Sequence, residues 1–541
     1  MGNNSKLWLA SLAGGLLLSM AWWEKSSPLV MLIAFIPLLY IFDTLFHDND
    51  QHHSTVFTRV LPAFLIFNLL TFFWLRKASL AGSAVVILEN SFLMSSIFWL
   101  ALLVRRRSNN FSGYVALVSF WLAFEHLALN VKIISPWLNL GNTLGFQPAF
   151  IQWYEYTGIS GGTLWILLSN ILLYKVIRYL RVKLKIPVIH FIFSTIFITL
   201  PVLLSLYMYN SYSEKGDRSN ILVIQPNIDP YRDKFSGLPF SVQLNNMLKS
   251  ASEADDKNYE WLLLPETAVD DPFYESEAHS NRYVTIIDSF LLEYDSLNLL
   301  TGITTIRTFR SESGFNKPSK RNIEGTNLYY ELFNSAMQVS RGQKTWFYHK
   351  SKLVPGIEEK ISGVPSFISE KIIPDLGGTM SGYGTQENRE VFHHQQTGSV
   401  VAPVICYESV FGEYVTGYIK KGAELIFIIT NDGWWKNTAG YKQHLMFASI
   451  RAIETRRSIA RAANTGISCF INQRGEIVSR SQWWSKEVLS GTLARNQEIT
   501  FYVRFGDFIY KYADIFSIFL LILTFIAIPL RKLRVNRRFF I

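Results

Sequence analysis

The chain is 541 residues long, enough for more than one domain, and it is apolar for a soluble enzyme, with 49% hydrophobic and 15% aromatic residues. Only two cysteines are present, Cys406 and Cys469, and the ten histidines show no HExxH-like spacing, so a disulfide framework, a metal site and any other cofactor are not expected. The formal charge of +10 does not read as a nucleic-acid footprint, because Lys and Arg cluster at the ends of apolar segments and form no stripe on a folded domain.

Apolar runs fill roughly the first two hundred residues, are absent as long runs through the middle, and return once near the C-terminus. Eight could span a bilayer, at about 7–23, 29–46, 58–75, 81–104, 114–130, 163–177, 188–208 and 515–530. The expected architecture is a polytopic α-helical membrane domain over 1–208 with seven helices, an external α/β domain over 209–511, and a C-terminal transmembrane helix with a basic tail over 512–541. The first run does not read as a cleaved signal, since no small-residue site follows Trp22-Trp23 and another apolar run begins at once. With eight alternating spans, Lys6, Arg105-Arg106-Arg107, the set Lys175, Arg178, Arg181, Lys183 and Lys185, and the set Arg531, Lys532, Arg534, Arg537 and Arg538 fall on one side. The positive-inside bias makes that side, with both termini, the cytoplasm.

Glu89-Asn90 and Glu125-His126 sit within expected spans, where a polar group is costly, so they should face other helices through packing hydrogen bonds. The stretch Ser135-Pro136-Trp137-Leu138-Asn139-Leu140-Gly141, continuing to Trp153-Tyr154 and Gly161-Gly162, has the aromatic and glycine content of an interfacial loop.

From Asn220 the pattern becomes soluble α/β, with strands expected over 221–224, 261–264, 297–303, 327–339 and 345–348 and a helix over 240–251. Residues 356–386 are rich in glycine and proline and carry Phe367, Ile368, Ile372 and Ile373, a composition that suits an amphipathic lid or entry loop. Val400 to Ile405 then read as a buried strand and 410–421 as a helix closed by Gly422, which leaves Cys406 where strand hands over to helix. There the helix dipole and unpaired N–H groups would favour a thiolate. A buried structural cysteine is the bland alternative, and it is the reading given to Cys469 in the expected strand 467–471.

Three strand ends each deliver one ionisable residue: Glu266 in LLLPETAV, Lys350 in WFYHKSKLVP and Cys406 in VICYESVF. Singly, the first two read as ordinary surface charges. Converging on one sheet edge, carboxylate, ammonium and thiol form a workable catalytic set. Glu266 would be the general base, and Lys350 with the Tyr407 N–H would hold a tetrahedral oxyanion.

The settings PET, HKxxLVP and CYE resemble the nitrilase superfamily of carbon–nitrogen hydrolases. With N-terminal spans, a PWL loop and one C-terminal span, the chain resembles the apolipoprotein N-acyltransferase family within it. Asn431-Asp432-Gly433-Trp434-Trp435, Arg451-Ala452-Ile453-Glu454 and Arg461-Ala462-Ala463-Asn464-Thr465-Gly466 are similar to that family's SNDxWF, RAxE and RAxNTG stretches. The resemblance implies an αββα sandwich facing the periplasm of a bacterial inner membrane. It also implies a ping-pong transfer, with a phospholipid as acyl donor, a thioester on Cys406, and the N-terminal amine of a diacylglyceryl-modified apolipoprotein as acceptor, carried out by a monomer.

By position in these stretches, Glu358 and Glu408 are expected to support Lys350 and the cysteine turn, and Asn334 to make a polar contact in the site. Trp434 and Trp435 would line an acyl channel or serve as ordinary core and rim. In Val354-Pro355-Gly356-Ile357-Glu358 the glycine is shifted by one position from the family's LVPFGE, which should alter the loop that delivers Glu358. Gly433 stands where a larger residue is common, a change expected to act on the acyl cleft. Two other functions fit parts of the chain: a membrane-tethered nitrilase-type amidase using water, and a lipid-binding or transport protein. Eight spans are a heavy anchor for the first, and the second lacks broken helices in inverted repeats.

Overall fold

The computed structural model describes residues 3–48, 52, 54–183, 188–230, 232, 234, 237–254, 258–310, 319–359 and 382–527. Residues 360–381, with Phe367, Ile368, Ile372 and Ile373 of the expected lid, lie outside the described residues, as do Lys185 and the basic set from Arg531 onward. The chain divides into two compact units, one of Met1–Phe73, Ser83–Asn210 and Phe505–Ile541, the other of Trp74–Gly82 and Ser211–Arg504.

The first unit is helical. Among the described residues, 7 helices are long and apolar enough to cross a membrane: Pro28–His47, Ser54–Lys77, Leu80–Arg107, Asn110–Asn130, Tyr154–Arg181, Val188–Ser211 and Phe508–Ile526. The first expected span is a helix too, Asn3–Met20, but its opening turn Asn3-Asn4-Ser5-Lys6 is polar, and it is not one of the seven. It packs on the helices Ile36–His47 and Ser54–Phe72.

Several polar groups inside these helices are paired, as packing in a low-dielectric setting favours, whereas Nδ2 of the buried Asn90 finds no hydrogen-bond partner among the described residues, so the packing bond expected there is not seen. Glu125 accepts hydrogen bonds from Trp121 Nε1 at 3.0 Å, Leu140 N at 2.7 Å, Thr163 Oγ1 at 2.6 Å and Tyr510 OH at 2.7 Å, which ties four segments together. His126 Nδ1 lies 2.6 Å from Asp514 Oδ2. Arg105 is buried and ion-paired with Asp43, whose other oxygen meets Arg178 Nη1 at 2.7 Å. The stretch 135–141 is largely buried within the unit. It leads into a buried 3₁₀ turn, Leu140–Phe146, and the Gly141 carbonyl accepts from Tyr154 OH at 2.8 Å, so its backbone groups find partners inside the unit.

The second unit is built on two sheets. Its strands in chain order are β1 (Arg218–Gln225), β2 (Trp261–Leu263), β3 (Val269–Tyr274), β4 (Asn298–Arg310), β5 (Arg321–Asn322), β6 (Leu328–Ser340), β7 (Trp346–His349), β8 (Phe392–His393), β9 (Val400–Ile405), β10 (Leu425–Thr430), β11 (Ser458–Ala463), β12 (Cys469–Ile471), β13 (Ile477–Arg480) and β14 (Glu487–Ala494). The first sheet runs β14-β1-β2-β4-β6-β5, with β3 on β4 and β7 on β6, and the second runs β13-β12-β11-β10-β9-β8.

In each sheet the middle is parallel: β1 with β2 and β2 with β4, then β9 with β10 and β10 with β11. Strands such as Leu425–Thr430 are buried along their whole length, as parallel strands covered on both faces must be. Helices Phe240–Ser252 and Arg282–Leu291 cover the first sheet, Gly412–Ile419 and Ala439–Thr455 cover the second, and the sheets meet through β1 with β11 and β6 with β9. The layer order is α-β-β-α, the sandwich expected.

Candidate active site

The strand ends β2, β7 and β9 each carry one of the three ionisable residues. Glu266 follows β2 in a turn held against β4, where Leu264 N donates to Leu300 O at 2.9 Å and Gly302 N to Pro265 O at 3.0 Å. The next residue, Thr267, has φ +46°. Gly302 makes this approach possible: a Cβ there would lie 2.4 Å from Thr267 N and 2.5 Å from Glu266 Cα, and both are backbone atoms that cannot yield cheaply. Gly302→Ala is therefore expected to destabilise the unit by about 1–3 kcal/mol through overpacking. It should also slow chemistry at Glu266 by about a hundredfold through displacement of the carboxylate. Thermal unfolding and a single-turnover rate on the same preparation check the two effects.

Lys350 follows β7, and its N–H donates to Asn334 O at 2.8 Å on β6. Its ammonium is buried, with Nζ 2.9 Å from Glu266 Oε1 and 2.8 Å from Glu358 Oε1. Asn334 Nδ2 donates to the same two oxygens at 2.9 and 3.0 Å. Two donors thus bridge two carboxylates. The outer oxygens are held by backbone, Glu266 Oε2 by Asn431 N at 3.1 Å and Glu358 Oε2 by Val354 N at 2.8 Å. The altered loop still delivers Glu358, because Gly356 takes φ +77° and Glu358 N closes the turn on Val354 O at 2.9 Å.

Burial works against ionising this pair, yet Lys350 holds the Glu266 carboxyl below its ordinary range, helped by Asn334. Burial likewise opposes the Lys350 ammonium, and Glu266 with Glu358 more than compensate, so its pKa stands well above the usual lysine value.

Cys406 sits at the end of β9 with φ +50°, an elbow that a non-glycine residue adopts only when its surroundings impose it. The sulfur is not at the start of an α-helix: Cys406–Val410 is a 3₁₀ turn, and the α-helix begins at Gly412. Burial raises the thiol pKa, and the Glu266 charge raises it further, against a lowering by Lys350. The expected thiolate is thereby corrected to a resting thiol whose proton needs a base. Cys469 is fully buried in β12, and burial pushes its thiol up to about 12, as suits a structural residue.

Glu408 is fully buried beneath the elbow. Its Oε1 accepts from Tyr348 OH at 2.6 Å, Ser351 N at 2.7 Å and Tyr414 OH at 2.9 Å, and its Oε2 from Ile405 N at 2.9 Å and Tyr418 OH at 3.3 Å. Tyr407 places its ring edge-on to Phe411 at 5.2 Å. Trp434 and Trp435 are half-buried, and Trp435 packs on Trp74 at 5.0 Å and on His444 at 5.5 Å. Gly433 is pressed against Thr465 and Pro230, where a Cβ would meet Thr465 Oγ1 at 2.1 Å, so its size answers to packing below the turn.

Of two further groups of the site, Lys234 had no part in the expectations from sequence, and Asp432 entered them only within the Asn431–Trp435 stretch. Lys234 is buried and hydrogen-bonded to Thr267 Oγ1, with Nζ 3.5 Å from the Glu266 carbonyl, and burial lowers its pKa to about 8. Asp432 is buried between Arg461 Nη2 at 2.6 Å and His444 Nδ1 at 3.0 Å. Burial opposes its charge, but Arg461 and His444 hold the carboxyl well below its usual range. The Asp-Gly-Trp-Trp and Arg-Ala-Ala-Asn stretches were legible, but nothing in either indicates that they pair.

The Carbon-nitrogen hydrolase family model matches residues 238–500, and the Apolipoprotein N-acyltransferase N-terminal domain model matches residues 14–172. An apolipoprotein N-acyltransferase of Chlorobaculum tepidum is 25% identical over 521 residues, covering 93% of this chain and 94% of its own. That of Geobacter metallireducens is 25% identical over 425 residues, covering 75% and 73%. A crystal structure of a Saccharomyces cerevisiae nitrilase-superfamily member aligns at 14% identity and TM-score 0.36, over 52% of this chain and 93% of that one.

Proposed function

We propose, on the premise that the chain belongs to the apolipoprotein N-acyltransferase family of the nitrilase superfamily, that Cys406 carries an acyl chain as a thioester from a phospholipid to the N-terminal amine of a diacylglyceryl-modified lipoprotein. The chain is a multi-pass bacterial membrane protein and an acyltransferase of lipoprotein maturation. The observation that supports these residue roles most is the buried ammonium of Lys350, shared by Glu266 and Glu358 while its charge also acts on the Cys406 thiol.

In the first half-reaction the sulfur attacks the ester carbonyl carbon as Glu266 takes the thiol proton, and the carbonyl oxygen becomes an oxyanion facing Lys350 and the Tyr407 N–H. Collapse breaks the C–O bond, and Glu266 returns the proton to the departing lysophospholipid oxygen. In the second, the acceptor amine attacks the thioester, Glu266 takes a proton from nitrogen, the C–S bond breaks, and Glu266 gives that proton to the departing sulfur to restore the thiol. A carboxylate paired with an ammonium can serve both directions, since its charge is shielded without being quenched. Trp435, with Trp74 against it, offers an aromatic wall for the acyl chain. The basic residues of the helix ends support an orientation with the unit of 209–511 in the periplasm and both termini in the cytoplasm.

The test is the intact mass of detergent-solubilised protein before and after incubation with a diacyl phospholipid, with Cys406→Ala alongside. A hydroxylamine-labile acyl adduct on the native chain alone is expected. A native chain that stays unmodified while small amides are hydrolysed would replace this reading with the water-using amidase.

A further inference from the structure

The Cys406 carbonyl oxygen takes two side-chain donors. Ser409 Oγ donates to it at 2.7 Å, and His444 Nε2 lies 3.1 Å from it. Both side chains are about fully buried, at 1% exposure each. Nε2 also lies 3.1 Å from Ser409 Oγ, and with the Ser409 proton directed to the carbonyl both neighbours of Nε2 are acceptors, so Nε2 carries the imidazole proton. The opposite ring nitrogen, Nδ1, lies 3.1 Å from Arg461 Nη2, from which a neutral Nε2–H ring accepts, and 3.0 Å from Asp432 Oδ1, to which a doubly protonated ring donates, so Nε2–H is kept in both cases. Trp435 stands edge-on to the imidazole at 5.5 Å and fixes its plane.

The oxygen that receives these donors belongs to the same peptide unit as the Tyr407 N–H. Electron density drawn toward a hydrogen-bonded carbonyl leaves the amide nitrogen more positive, and the N–H of that unit becomes a stronger donor. In a trans peptide the oxygen and the hydrogen point to opposite sides, so His444 and Ser409 act from behind without occupying the space of the reacting carbonyl. We propose that His444, seated by Asp432 and Arg461 and assisted by Ser409, is a positioning residue that polarises the Cys406–Tyr407 peptide and so strengthens the Tyr407 N–H toward the oxyanion. This rests on the acyl-transfer reading above, in which that N–H faces the oxyanion.

Two reactions at the same sulfur separate this role from simple packing. Acylation by a diacyl phospholipid in detergent micelles passes through an oxyanion. Alkylation by iodoacetamide forms an S–C bond with loss of iodide and never forms one. Both rates are read on the full-length protein from the mass of the Cys406 peptide.

His444→Phe, which keeps a ring beside Trp435, is expected to lower single-turnover acylation by about tenfold, less than the 10²–10³ of deleting an oxyanion donor outright. Its alkylation rate should stay within about twofold of native, since that reaction makes no call on the donor. His444→Gln, whose amide can donate to the same carbonyl, should recover most of the loss. Ser409→Ala serves as the independent variant should the first fail to fold, with a smaller loss confined again to acylation. Parallel loss of both rates would reduce His444 to a packing residue and overturn the proposal, and so would unchanged acylation in His444→Phe and Ser409→Ala. A native protein that alkylates at Cys406 but never acylates would overturn the acyl-transfer reading itself, and this inference with it.

Discussion

Glu266→Gln is expected to lower the rate of Cys406 acylation by about a thousandfold, within the 10²–10⁴ range of a lost general base. The resting sulfur is a thiol held above its ordinary pKa by burial and by Glu266 itself, so attack requires simultaneous removal of the proton. The substitution is also not neutral for the site. Lys350 Nζ and Asn334 Nδ2 both donate to Oε1, and Asn431 N donates to Oε2, so a glutamine amide must set its NH₂ against a donor whichever way it turns. A stability loss of about 1–3 kcal/mol should accompany the kinetic one.

The native pH profile tests the same assignment. Lys350 holds the Glu266 carboxyl below its ordinary range against the effect of burial, so the base stays ionised down past about pH 4.3. The thiol lies above its ordinary value of about 8.5 and the Lys350 ammonium above about 10.4, so neither titrates on the way up to that region. Lysophospholipid release in a single turnover should therefore be flat from about pH 5 to about pH 7, below the region near pH 8 where the buried Lys234 beside Glu266 loses its proton. A rate that climbs tenfold per unit through about pH 8 would indicate attack by a preformed thiolate and remove Glu266 from the role of base.

Much of this arrangement is legible in the amino-acid sequence where one segment suffices to specify it. The expected strands over 221–224 and 261–264 and the strand from Val400 to Ile405 are short apolar runs bounded by turn residues, and they become β1, β2 and β9. β4 extends beyond the expected 297–303 as far as Arg310, because its second half is polar-rich and is defined by pairing with β6, from Asn298 opposite Ser340 to Arg310 opposite Leu328. β10, Leu425–Thr430, had no place among the expected strands, since an apolar run of that length is as compatible with a buried helix.

What depends on two distant segments was not legible. The positive φ of Thr267 and Cys406 belongs to residue types that rarely adopt it, and the surrounding fold imposes it. Lys234 reads as one more charge in a polar loop until Thr267 is brought to it, and His444 reads as a helix residue until the elbow is. Three of the four donors around Glu125, Leu140, Thr163 and Tyr510, likewise come from other segments, so a costly carboxylate was visible in the span but most of its partners were not.

Glu408→Ala is expected to prevent accumulation of a folded second unit, the largest stability effect among the residues of the site. Removing the carboxylate leaves the Ile405 and Ser351 backbone N–H groups buried without their acceptor, and with them the hydroxyls of Tyr348, Tyr414 and Tyr418. A buried donor left unsatisfied costs about 1–3 kcal/mol, and the two backbone groups cannot turn to find another partner. Against a total stability of about 5–15 kcal/mol, the combined loss leaves little.

Glu408→Gln gives the more informative comparison. Each carboxylate oxygen receives one backbone N–H, Ser351 at Oε1 and Ile405 at Oε2, so the amide NH₂ must face a fixed donor in either orientation. The variant should fold with a lowered unfolding temperature and react slowly at Cys406, whereas the hydroxyls alone could have rotated to accept from it. Both effects follow from where those two N–H groups lie. One precedes the nucleophile and the other follows the lysine, so this single carboxylate fixes the distance between the ends of β9 and β7. A Gln variant with native melting and native acylation would show that the two strand ends are held by the sheets alone.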